Sequence, residues 1–270
     1  MTEAAAPPTT AEEIKSCCAA LYESDWARLL LGDSYHPGGL SLTRRIGELI
    51  ELSSTDRVLD VAAGRGASVI EIARVFGCQV VGVDLSAANV AGAKAAAYEA
   101  GVAERAEFRV GDAERLPLDV ASFDVILCEC AFCTFPDKAT GAAEFARVLR
   151  PGGRLGFSDV TRRGELPSEL ESLLAWIACI TDARPAHDYV SLLEAAGFTD
   201  LVIEPRDDML KKLVRDTRLK LLSVEIMAKL GKVDLAVADV REGKRIAKAA
   251  ADAVAAGKLG YTVITGRRPA

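Results

Sequence analysis

The chain has 270 residues and a net charge of −6, and half of its residues are hydrophobic. That length allows one large domain or a domain with a cap, and the apolar half is ample for a core. The acidic balance, with no basic run beyond pairs such as Lys211-Lys212 and Arg267-Arg268, argues against a sequence-independent grip on nucleic acid. No apolar stretch approaches the roughly 20 residues needed to span a membrane.

Residues 1–10 are small, Pro/Thr-rich and lack a positive leading region, so they are expected to be a disordered lead rather than a secretion signal. An odd count of 7 cysteines without such a signal predicts free thiols in a reducing cytoplasm. A helical pattern over 12–31 carries Leu21, Leu29 and Leu30 on its apolar side. A loop over 32–39 holds His36-Pro37-Gly38-Gly39, and a second helix is predicted over 40–52. Residues 11–54 are thus expected to form a helical lid.

From there, strand-length apolar runs alternate with helical patterns. Strands are predicted near 57–61, 79–84, 106–110, 123–130, 153–159, 198–204 and 259–266, and helices near 67–76, 86–100, 138–149, 168–181 and 186–196. Such alternation predicts an α/β fold: a Rossmann-like, seven-stranded, mostly parallel sheet with helices on both faces. The core is expected over 55–206, completed by the last strand within 259–270. Between them, 207–258 reads as a helical cap insertion. There Leu210, Leu213, Val214, Thr217, Leu221 and Val224 recur at helical spacing, and an alanine-rich helix follows over 235–256.

The chemistry starts at Val58-Leu59-Asp60-Val61-Ala62-Ala63-Gly64-Arg65-Gly66. An apolar run ends in an acid, a small-residue turn follows, and a helical pattern begins. The next apolar run ends in Asp84. A strand feeding such a turn lets a ligand approach bare backbone at a helix N-terminus, and an acid ending the next strand is placed to accept from ribose hydroxyls. The turn reads A-x-G-x-G rather than G-x-G-x-x-G, which better suits a cofactor without a pyrophosphate.

At these residues the chain resembles the class I S-adenosylmethionine-dependent methyltransferases. Their D-x-G-x-G-x-G stands here as Asp60 to Gly66, with Ala62 for the first glycine. Val83-Asp84-Leu85-Ser86, Gly111-Asp112-Ala113, Phe123-Asp124-Val125-Ile126-Leu127 and Leu149-Arg150-Pro151-Gly152-Gly153 follow in the family's order. The resemblance implies S-adenosyl-L-methionine as cofactor. It implies binding through Asp60, Ala62, Gly64, Arg65, Gly66, Asp84 and Leu85, and through Asp112 and Ala113 at the adenine. Arg65 is expected to meet the methionine carboxylate or to pair with an acid such as Glu129.

The second feature is Cys128-Glu129-Cys130-Ala131-Phe132-Cys133 at the end of the predicted fourth strand. Strand alternation puts Cys128 and Cys130 on one face. Cys179 is predicted in the helix after the fifth strand, Cys17 and Cys18 lie in the first helix, and Cys78 reads as a buried small hydrophobe. A zinc site is disfavoured, because no second C-x-x-C exists and His36 and His187 are the only histidines. An iron–sulfur cluster is disfavoured by placement at a strand end. Thiolates prefer soft partners.

Ile126 to Cys130 with Phe135-Pro136-Asp137-Lys138, then Phe157-Ser158-Asp159-Val160, Glu165-Leu166-Pro167 and Trp176-Ile177-Ala178-Cys179, resemble arsenite methyltransferases. That resemblance implies Cys130 and Cys179 as ligands of trivalent arsenic, with Cys133 or Cys128 as the third. The family's further cysteine before the first strand has no counterpart in Tyr35 to Gly39, and Cys133, Cys17 or Cys18 could stand in for it. The expected function is a cytoplasmic methyltransferase, monomer or homodimer, for a thiol-bound soft small-molecule substrate. Two alternatives stay open. One is a small organic O, N, C or S nucleophile, with His36, Glu129 or Asp159 as base. The other is a non-catalytic metalloid or metal sensor on the same fold. His187, beside a predicted helix start, reads as structural.

Overall fold

The computed structural model describes residues 10–23, 34–171, 175, 179–229 and 240–270. The expected lead over 1–10 falls almost wholly outside them, as do 24–31 of the first predicted helix, the first two residues of the loop after it and most of 172–178.

The chain runs α1 (Ala11–Glu23), α2 (Gly39–Leu49), β1 (Arg57–Val61), α3 (Ala67–Phe76), β2 (Gln79–Asp84), α4 (Ala87–Glu99), β3 (Ala106–Val110) and β4 (Phe123–Glu129). It continues with α5 (Lys138–Val148), β5 (Leu149–Arg162), α6 (Ala186–Ala195), β6 (Thr199–Pro205), α7 (Asp207–Lys229), α8 (Val240–Ala255) and β7 (Leu259–Arg267). Short 3₁₀ turns stand at Phe132–Thr134 and Ser168–Leu170. The seven strands are ordered β3-β2-β1-β4-β5-β7-β6, parallel except β7, which runs antiparallel to both neighbours.

Strand alternation sorts two cores. One face buries Val58, Val80, Val125, Leu127 and Val263 against Leu42 and Ile46 of α2, Val69 and Ile72 of α3, and Ile246 and Ala250 of α8. The other buries Leu59, Val61, Ile126, Phe157 and Ile264 against Phe145 of α5 and Tyr189 of α6. Phe132 anchors that second core, with its ring centroid 5.3 Å from Phe157 and 6.0 Å from Tyr189. Each such fully buried side chain stabilises the fold by about 1.5–3 kcal/mol.

Local chemistry sets the helix starts. Ser86 caps α4 by accepting from the Asn89 N–H at 2.9 Å, ahead of an alanine-rich run of high helix propensity. Asp137 caps α5 through the Thr140 N–H at 2.9 Å. β5 begins earlier than expected, because Leu149 already pairs with Phe123 before a bulge over Pro151-Gly152-Gly153. Of the helix expected over 168–181, the described residues show a 3₁₀ turn at Ser168–Leu170, a helical Ala175, and Cys179 in a turn with φ 62°. The segment after β6 holds α7 and α8, and α8 buries Ala253 and Val254 on the sheet's first face. The last helix is described from Val240 on, so the start expected at 235 lies outside the described residues.

Candidate active site

A cleft of about 860 Å³, counting its open mouth, lies at the carboxyl ends of the parallel strands. Its floor is the turn after β1, the end of β2, the loop after β3 and the end of β4. Its roof is α1, through Lys15, Cys18, Ala19 and Tyr22, with Tyr35 alongside. These α1 positions recur at i, i+3, i+4 and i+7, one face of a helix.

The turn after β1 is left-handed at Ala62 (φ 60°), Gly64 (φ 54°) and Gly66 (φ 80°). Ala62 and Gly64 line the cleft. A Cβ on Gly64 would meet nothing nearer than the Tyr35 ring at 3.6 Å, so this backbone faces open space. Gly66 serves another purpose. A Cβ there would stand 2.6 Å from the Phe108 ring and 2.9 Å from Ala93, so its bareness permits α3 to pack against β3 and α4. Arg65 forms no pair with Glu129. Its Nη2 donates to the Glu23 carbonyl at 3.2 Å, and its buried Nε has no hydrogen-bond partner among the described residues.

Asp84 ends β2 facing the cleft. Its Oδ2 accepts from the Gly64 N–H at 2.8 Å, and its Oδ1 from the Ser86 N–H at 2.9 Å and Asn89 Nδ2 at 3.3 Å. Burial pushes its carboxyl above the usual range against the pull of those donors. Leu85 and Ala113 complete an apolar wall. Asp112 is tied to the roof, where Lys15 Nζ lies 2.7 Å from its Oδ2 and 2.5 Å from Glu114 Oε2.

Glu129 closes the other end. Its carboxylate accepts from Ser68 Oγ at 2.7 Å and from Thr43 Oγ1 at 3.1 and 3.2 Å, and His36 Nε2 lies 3.7 Å from Oε1. His36 is buried rather than a solvent-facing loop residue. Asp60 is buried at the end of β1, its carboxyl pushed far up by burial and by the charges of Glu129 and Asp84.

The cysteines separate. Cys128 packs in the second core with Phe157 and Phe132, and burial raises its thiol well above the ordinary range. Cys130 does not share its face, because the strand ends at Glu129 and a φ of 53° swings Cys130 toward the first core, beside Cys133 and Cys179. The Sγ atoms of Cys130 and Cys179 and a carboxylate oxygen of Asp159 all lie within 4.8 Å of one another. Cys179 Sγ is 3.2 Å from the Cys130 carbonyl oxygen and 3.8 Å from Tyr22 Oη. As a thiol Cys179 donates to that carbonyl. As a thiolate it accepts from the Cys130 and Cys133 thiols and from Tyr22, and these bonds, with the Lys138 charge, hold it well below the ordinary range despite burial. Cys130 and Cys133 are correspondingly pushed up, so of the three thiols Cys179 is the one whose thiolate the site favours. Cys18, on the cleft roof, feels the Cys179 charge, and burial pushes it up to about 12. Cys78 is buried in the first core, as expected. His187 is exposed and pairs with Asp188 at 2.9 Å.

Residues 59–157 match the methyltransferase-domain family. An arsenite methyltransferase of Aquipseudomonas alcaligenes is 32% identical over 227 residues, covering 80% of this chain and 62% of that protein. The O-methyltransferase resE of Aspergillus sclerotiorum is 27% identical over 229 residues, covering 84% of this chain and 81% of that protein. The chain is a methyltransferase and resembles the class I S-adenosylmethionine-dependent family. The fold agrees: phosphoethanolamine N-methyltransferase 2 of Haemonchus contortus superposes with a TM-score of 0.80 at 19% identity, over 97% of this methyltransferase and 61% of that chain. The [4+2]-cyclase SpnF superposes with a TM-score of 0.76 at 22% identity, covering 98% and 99% of the two chains, so the fold by itself does not dictate the reaction.

Sequence reasoning passed over Lys15, Tyr22, Asn89 and Glu114, and quoted Tyr35 and Lys138 without giving either side chain a role. The spacing of Lys15, Cys18 and Tyr22 on one helical face was the available signal for the roof. Lys138 is buried, and its Nζ donates to the Cys133 and Phe135 carbonyls at 2.8 and 3.0 Å and pairs with Asp182 at 2.5 Å.

Proposed function

We propose that this methyltransferase acts on a soft, thiophilic substrate held by thiolates, with trivalent arsenic as the first candidate. The observation that carries the reading is the convergence behind the cleft of Cys179 and Cys133 on Cys130, which lines it, with the Cys130 and Cys179 sulfurs within 4.8 Å of each other. Soft thiolates select soft centres. The 32% identity to an arsenite methyltransferase supports the same choice. Cys128, packed in the opposite core, takes no part.

The cleft fits the cofactor. Asp84, Asp112, Val83, Leu85 and Ala113 line one cleft, and in this reading Asp84 takes the ribose hydroxyls, Asp112 the adenine amine and the apolar three the faces of the base. The open backbone at Ala62 and Gly64 takes the methionine arm, with Asp60 behind it, while Gly66 and Arg65 shape the turn and its contact with α1. S-adenosylmethionine, when bound, supplies an electrophilic methyl group. The chain's residues align the partners and exclude water, which is most of what an in-line displacement requires. Arsenic held by thiolates keeps its lone pair, so no general base is needed. Each As–OH exchanged for As–S consumes one thiol proton and releases one water, and a site already holding a thiolate at Cys179 favours the first exchange. Cys18 on α1 is positioned to approach the same substrate from the roof.

The test is methyl transfer from S-adenosylmethionine to arsenite under thiol reductant, comparing wild type with Cys130→Ser. Methylated arsenic from wild type and none from the variant supports the reading. Turnover of small alcohols, amines or phenols that survives Cys130→Ser, with no methylated arsenic, replaces it with an organic acceptor.

A further inference from the structure

Glu129 is a buried carboxylate on the cleft wall, and the neutral hydroxyls of Ser68 and Thr43 are its hydrogen-bond donors. Among the described residues no lysine or arginine forms an ion pair with it, and His36 at 3.7 Å is its one basic neighbour. Asp60 and Asp84 stand close enough that the negative charges disfavour one another. A buried anion without a cation is costly, so such a cluster is retained where a cation arrives with a ligand. Along the cleft, Glu129 lies at the end with Ala62, Gly64 and Cys130, while Lys15 already occupies the acids at the other end.

We propose that Glu129 is a cofactor-binding residue whose carboxylate takes the α-ammonium of the methionine arm, with Ser68, Thr43 and His36 as positioning residues. The three come from separate elements: Ser68 from the first turn of α3, Thr43 from α2 and His36 from the loop before it. They hold the carboxylate in one orientation, so that its order is established before the cofactor arrives. The inference rests on the methyltransferase assignment and is independent of the thiol reading.

The experiment is equilibrium binding by calorimetry of S-adenosylhomocysteine, which carries the ammonium, and of 5′-methylthioadenosine, which lacks the whole amino-acid arm. Glu129→Gln is expected to weaken S-adenosylhomocysteine by roughly 10- to 100-fold, the loss of one charge-assisted hydrogen bond, and to change methylthioadenosine by less than about twofold. Thr43→Val, which keeps the charge and frees its orientation, is expected to weaken S-adenosylhomocysteine by only about threefold. Should Glu129→Gln fail to fold, Glu129→Asp withdraws the carboxylate by one methylene and is expected to show the same selectivity in smaller measure. Equal weakening of both ligands means a merely structural carboxylate and overturns the proposal, as does unchanged S-adenosylhomocysteine binding.

Discussion

Cys130 and Cys179 meet through two residues that both hold left-handed backbone, φ 53° and 62°, with the Cys179 sulfur 3.2 Å from the Cys130 carbonyl oxygen. Each such non-glycine residue costs about 1–2 kcal/mol. Without the turn at Cys130 its thiol would follow Cys128 into the second core, and the three-thiol site would not exist.

Lys138 ties the two thiol-bearing turns together. It donates to the Cys133 carbonyl and pairs with Asp182, three residues beyond Cys179. Lys138→Met leaves Asp182 with Arg184 alone, at 2.8 Å, and strips the Cys133 and Phe135 carbonyls of their ammonium donor, so it should destabilise the fold by about 1–3 kcal/mol, measured by urea unfolding. Adding Asp182→Asn should recover only part of that loss, because Arg184 already balances the carboxylate and the two carbonyls stay without the ammonium. An unchanged double mutant would mean that the lysine acts through the carbonyls alone.

Asp159 gives the fold a pH dependence. Burial and the neighbouring Cys179 charge raise its carboxyl to about 7, against the Cys133 and Val160 N–H donors. A carboxyl raised in the folded state contributes fully below its unfolded value near 4, and that contribution is lost as pH rises through 7. Wild type should therefore lose stability relative to Asp159→Asn between pH 4 and pH 8, by a few kcal/mol at about 1.4 kcal/mol per unit. Urea midpoints at the two pH values decide it, and parallel profiles for the two proteins would remove Asp159 as the cause.

Ala62 stands at φ 60°, where the resembling family has glycine. Glycine adopts this conformation without the Cβ penalty, so Ala62→Gly should stabilise the protein by up to about 1 kcal/mol, read as a raised thermal midpoint. Cofactor affinity should stay within twofold, because the backbone path is already the one glycine prefers. A loss of stability would mean that the methyl group packs usefully on the second core.

Cys128 shows where the sequence was legible and where it was not. Periodicity located all seven strands and most of the helices, and Asp84 and Asp112, singled out by their spacing, both line the cleft, because these signals are local. Alternation also placed Cys128 and Cys130 on one face, and that failed, since a single left-handed residue undoes a period of two. The burial of His36 and the Lys138–Asp182 pair arise from elements far apart in the chain. Cys128→Ala should therefore cost about 1–2 kcal/mol as a small core deletion and leave methyl transfer intact, whereas Cys130→Ser should leave stability nearly unchanged and abolish transfer to arsenic.

The most direct test of the thiol site is arsenic-edge X-ray absorption on the protein loaded with one equivalent of arsenite under reductant. The account predicts an arsenic bound by sulfur in wild type, with one sulfur lost in Cys130→Ser, one lost in Cys179→Ser and none lost in Cys128→Ala. An arsenic ligated by oxygen alone in wild type, or a sulfur shell unchanged by Cys130→Ser and Cys179→Ser, would contradict it.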